Sequence, residues 1–134
     1  MKLSAVKELK ERIEEKAALV ENLRGALEIV SAPTLDGLPK AKSFQTSKIE
    51  SLTAEIVDAE RELENLRGEF IEVSIRLPKK ISELVKDRRA AQVLIRRYCY
   101  LETFKEIATS LNYSQSQIFK LHQRGKKQFD EWEQ

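Results

Sequence analysis

Two hydroxyl residues near the C-terminal end, each followed three positions on by a side chain able to reach back, stand eleven residues apart: Thr103 with Glu106, and Ser114 with Gln117. In such a pair the hydroxyl accepts from a backbone N–H of a new helix, and its partner satisfies the N–H of the cap itself. Between the two starts there is room for one short helix and one turn. Ala108 supplies a small residue where two crossed helices must approach, and Asn112 a turn residue that tolerates positive φ. Ile107, Leu111, Tyr113, Ile118 and Leu121 are the apolar positions by which those helices would grip each other. Capping, turn and packing positions agree on a helix-turn-helix over residues 103–123. The chemistry this implies is the reading of duplex DNA; the plain alternative is an ordinary helix pair.

A second helix starting after Ser114, with Ile118 and Leu121 facing inward, turns Gln115, Ser116, Phe119, Lys120 and Gln123 toward a groove or its rim. Gln can read adenine bidentately, Ser reads several bases, and Phe or Lys can meet a thymine methyl or guanine acceptors. Arg124, Lys126 and Lys127 continue the helix at a place suited to phosphates. Thr103, Lys105 and Ser114 lie at helix N-termini, which also suit phosphate. Each of these has a rival reading as a merely solvated side chain. The charge distribution favours the first: residues 86–127 hold ten basic and three acidic residues, net +7, whereas residues 1–83 hold 14 and 16. The positive field therefore coincides with the motif, as phosphate contact requires.

Other chemistry finds little support. His122 is the single histidine and Cys99 the single cysteine, too few for a zinc site, and no Gly-rich phosphate loop or nucleophile–base pair stands out. His122 reads as a packing or phosphate-adjacent residue. No enzyme activity, cofactor or metal is expected. No apolar run approaches 18 residues, the charged start KLSAVKELKERIEEK does not read as a signal peptide, and a lone cysteine fits a reducing cytoplasm.

The elements that would carry the motif are helical throughout. Val6, Leu9, Ile13, Lys16, Val20, Leu23, Leu27 and Val30 alternate spacings of three and four; only Lys16 interrupts, with Ala17 beside it. Ile49, Leu52, Ile56, Ala59, Leu63, Leu66, Phe70, Val73 and Leu77 repeat the pattern without a break, the seam of a coiled coil. Gly25 and Gly68 fall outside both stripes. The intervening SAPTLDGLPKAKSFQT, residues 31–46, reads as a loop that lets the second helix fold back on the first. Val57, Ile71 and Ile75 are left beside the stripe and favour a homodimer. Pro78 is expected to end or kink the second helix, followed by a short apolar element from Ile81 to Val85. A third helix opens near Asp87 with Ala91, Leu94, Ile95 and Tyr98 on its buried face. Phe129 and Trp132 give the last helix a hydrophobic end. The expectation is an all-α protein: a long coiled-coil-like helical hairpin over 1–80, then a helix-turn-helix domain over 81–134.

The segment from Ile81 to Phe129 resembles region 4 of sigma factors and, more closely, phage-encoded late transcriptional regulators of the ArpU/RinA type. The matching residues are Ile81, Leu84, Arg97-Tyr98, Leu101, Phe104, Glu106-Ile107-Ala108, Leu111, Tyr113-Ser114 and Leu121-His122. Three positions depart: Val85 where proline is common, Asn112 where glycine is frequent, and Gly125 where alanine is usual, a change expected to loosen the recognition helix toward its end. The resemblance implies a sequence-specific transcriptional regulator of a phage or integrated mobile element, with RNA polymerase as a further partner. The alternatives are a DNA-packaging protein like a terminase small subunit, and a coiled-coil adaptor that contacts RNA polymerase.

Overall fold

A computed structural model of the chain describes residues 1–32 and 42–133. Among the described residues the elements are all helical: α1 (Ala5–Ser31), α2 (Lys42–Leu84), α3 (Arg88–Tyr98), α4 (Phe104–Leu111) and α5 (Gln115–Glu133). None is long and apolar enough to cross a membrane. Most of the expected loop, residues 33–41, lies outside the described residues. At its described edge α2 is already helical from Lys42.

The largest correction concerns Pro78. It neither ends α2 nor precedes a separate element, because the helix continues through it to Leu84. A proline there forfeits the bond from residue 78 to the Ser74 carbonyl and crowds that carbonyl, at about 3 kcal/mol. Leu77 and Ile81 flank it at 0% exposure and Val85 follows at 2%. Each such burial contributes about 1.5–3 kcal/mol, so the three together outweigh the break.

The chain separates into two compact units. One consists of residues 11–68 and the other of residues 1–10 with 69–134, so α1 and α2 each contribute to both.

In the unit of residues 11–68, Val20, Ala59 and Leu63 form a buried cluster against which Ile13, Ala17 and Leu23 pack. Lys16, the one polar member of the α1 stripe, keeps its stem half-buried and pairs its ammonium with Glu62. Arg24 pairs with Glu60, and Gln45 Nε2 donates to the Val30 carbonyl at 2.7 Å. As the α1 partner advances from 16 to 30, its α2 counterpart recedes from 62 to 45. Gly25 and Gly68 have open space where a Cβ would project.

The second unit has a larger core. Leu3 and Val6 from the start of the chain, Leu77, Ile81 and Val85 from the end of α2, and residues of α3, α4 and α5 bury one another. α3 opens on Asp87, whose side chain accepts from the N–H groups of Arg89 and Ala90. Its fully buried face is Ala90, Ala91, Val93 and Leu94, while Ile95 and Tyr98 are only half-buried. The expected stripe missed Ala90 and Val93 because α3 packs against both α4 and α5, which widens the covered face beyond a single seam. Gly125 lies where α5 meets α3. A Cβ there would lie 3.1 Å from Leu94 Cδ1 and 3.3 Å from Ala90 Cβ. Its lack of a side chain is what lets α5 approach α3 so closely.

Candidate nucleic-acid interface

The connection from α3 to α5 is built from local chemistry. Thr103 Oγ1 accepts from Glu106 N at 3.2 Å and starts α4. α4 ends on Asn112 in the left-handed region (φ 61°), whose N–H returns to the Ala108 carbonyl. Two residues later the box at Ser114 closes in both directions: Gln117 N donates to Ser114 Oγ at 3.2 Å, and Ser114 N donates to Gln117 Oε1 at 3.0 Å. Ile107 and Ile118 at 0%, Ala108 at 7% and Leu121 at 8% exposure seal the two helices together.

With that face buried, Gln115, Ser116, Phe119, Lys120 and Gln123 are all exposed, on the first two and a half turns of α5. Thr103, Lys105, Ser114, Lys126 and Lys127 are exposed as well. Among the described residues Lys105, Lys120, Lys126 and Lys127 make no ion pair. A shallow groove of about 550 Å³ runs along α5, lined by Phe119, His122, Gln123, Lys126 and Lys127 and closed by Asp130 and Glu131. Phe129 is buried in the core, but Trp132, expected to finish the same apolar end, is 66% exposed.

Arg124 differs from the other cations. Its guanidinium donates to Asp87 Oδ2 at 2.9 Å. That contact, followed by the N–H groups capping α3, holds the Asp87 carboxyl below the usual carboxylate range against the opposing effect of burial. A second tie joins the same corner to α5, the Lys86 N–H donating to Gln128 Oε1 at 3.2 Å.

Behind the exposed face lies an aromatic cluster that sequence reasoning did not assemble. Tyr98 stacks on His122 (centroids 5.6 Å apart) and its hydroxyl lies 2.7 Å from Nε2, while Phe104 meets the same imidazole edge-on at 5.0 Å. Arg97 covers the Phe104 ring at 4.6 Å and donates to the Glu102 carbonyl at 3.0 Å. Arg96 pairs with the Glu102 carboxylate at 3.4 Å. Together they hold the α3–α4 corner, where Leu101 takes a left-handed conformation (φ 58°) that costs a non-glycine residue about 1–3 kcal/mol. Arg96 and Arg97 are half-buried corner residues. The signal was present in the pair Arg97-Tyr98, but its partners lie 5 to 24 residues away. Burial pushes the Cys99 thiol up to about 11, which favours the protonated form near neutral pH.

Comparison of the chain with models of protein families, with curated proteins and with solved structures finds no match in any of the three.

Proposed function

We propose that this protein binds duplex DNA sequence-specifically, with α4, the turn at Asn112 and α5 acting as a helix-turn-helix at the end of a coiled-coil-like helical hairpin. One observation carries the reading. The first turns of a doubly capped α5 present Gln115, Ser116, Phe119, Lys120 and Gln123 to solvent, within a stretch of net charge +7. Those five are the base-reading set, and Thr103, Lys105, Ser114, Lys126 and Lys127 the phosphate set, with Arg124 held in reserve by Asp87. By its resemblance to ArpU/RinA-type regulators the biological role is transcription control in a phage or mobile element. A terminase-like packaging role is the alternative that ring assembly beyond a dimer would favour.

The test is selection of bound sequences from random duplex DNA, followed by titration at about 50 and 200 mM salt. Several phosphate contacts make affinity fall by orders of magnitude across that range. Lys126→Ala lowers affinity for all sequences alike, whereas Gln115→Ala shifts the preferred sequence by about 1–3 kcal/mol. Weak binding that is equal at both salt concentrations overturns the reading.

A homodimer is part of the proposal. One such motif reads only a few base pairs, so these modules act in pairs on half-sites about 34 Å apart. Val57 at 48% exposure supports it in one unit, as do Ile71 at 61% and Ile75 at 68% in the other. The same exposed side chains favour the second reading, an adaptor that docks on RNA polymerase. Sedimentation of free and DNA-bound protein separates the two, a persistent monomer removing the dimer.

A further inference from the structure

Within the expected phosphate set, only Arg124 has its charge already engaged. Asp87 divides its carboxylate between two tasks. Oδ1 accepts from the N–H groups of Arg89 at 3.0 Å and Ala90 at 3.4 Å, capping α3, while Oδ2 takes Arg124 from α5 at 2.9 Å. Arg124 lies between Lys120 and Lys127 on α5, both exposed and without an ion-pair partner among the described residues. Its side chain is 57% exposed against 21% for Asp87, so the guanidinium borders the solvent face of α5 while the carboxylate is the more enclosed partner.

We propose that Asp87 is an intramolecular competitor for DNA phosphate, which holds Arg124 out of the backbone-contacting set and thereby lowers affinity for every duplex. The inference rests on the DNA-binding reading above. Carboxylate and phosphate present the same oxygen acceptors to a guanidinium fork, so one can stand in for the other. A guanidinium held by Asp87 is withheld from a duplex arriving at α5, which forgoes the contact, and affinity is reduced. Because a phosphate contact carries no sequence information, the reduction is the same on specific and random DNA.

The experiment is a salt titration of the full chain on one random-sequence duplex, for wild type, Asp87→Asn, Arg124→Ala and the double variant. Asparagine caps a helix as well as aspartate and keeps its shape, so α3 is retained. Asp87→Ser, also a good cap without charge, serves as the second variant, and both are checked by thermal melting. Releasing Arg124 adds one phosphate contact, so the uncharged variants bind more tightly with a salt slope steeper by about 0.9. Their advantage over wild type then shrinks about threefold between 50 and 200 mM salt. In the Arg124→Ala background the gain disappears. Unchanged affinity and slope overturn the inference, as does a gain that survives without Arg124, which would be a general charge effect. Wild type that binds no duplex at 50 mM removes the DNA-binding reading and this inference together. Wild type that binds while the Asp87 variants match it removes this inference alone.

Discussion

His122 touches two other helices, through Tyr98 on α3 and Phe104 on α4, with one ring nitrogen bonded and the other, Nδ1, buried without a partner. Burial first, then the nearby cations Lys126 and Arg97, hold its pKa below the ordinary 6.5. The folded state therefore resists protonation that the unfolded chain accepts. Above pH 6.5 both states carry a neutral imidazole and there is no penalty. As pH falls below 6.5 the unfolded state binds the proton first, and stability declines until the folded pKa is also passed. Thermal melting of wild type and His122→Gln between pH 7.5 and 5 should show wild type losing the more. Parallel curves would mean the imidazole is solvated and the cluster open. Asp87 adds a loss of the same sign only at lower pH, where its Arg124-paired carboxylate is finally protonated.

Three helical glycines separate propensity from packing at the scale of the element. Gly25 and Gly68 project into open space, so alanine there removes a helix penalty without a steric cost. Each substitution should stabilise the protein by about 0.5–1 kcal/mol. Gly125→Ala gains the same propensity but drives a methyl to 3.1 Å from Leu94 Cγ and Cδ1, in a side chain with 0% exposure. Overpacking of that kind costs about 1–3 kcal/mol, so the net change should be a loss of about 1 kcal/mol. Denaturant melts of the three single variants provide the comparison, and Gly125→Ala melting above wild type would show that α3 and α5 have slack. An alanine at 125 would strain the α3–α5 contact.

For the molecule as a whole, Leu3 and Val6 share one core with α3, α4 and α5 although more than eighty residues of chain intervene. The start of the chain is thus part of the unit that carries the candidate interface. Val6 is 1% exposed, and Val6→Ala should cost about 1–3 kcal/mol through lost burial and an unfilled cavity. Hydrogen exchange locates the effect: protection should fall across α3 and α5 as well as in α1. A loss confined to α1 would make residues 1–10 a separately melting appendage.

What was legible in the sequence is what depends on near neighbours. Both capping residues, the αL turn at Asn112, the Asp87 start of α3 and the apolar stripes of α1 and α2 rest on spacings of three or four residues, where backbone geometry alone decides the partner. Every position of the two long stripes is buried or half-buried, Lys16 included. What the tertiary structure decided lies at long range. Pro78 stays helical because Leu77 and Ile81 are locked in a core whose other walls come from distant segments. Arg124 turns from solvent to Asp87 across 37 residues, and His122 finds Tyr98 across 24. Gly125 is needed because of Leu94, a neighbour in space but not in sequence. Local hydrogen bonds are written in residue order, whereas close packing and charge pairing depend on which surfaces the fold brings within a few ångströms, and a single sequence does not list those distances.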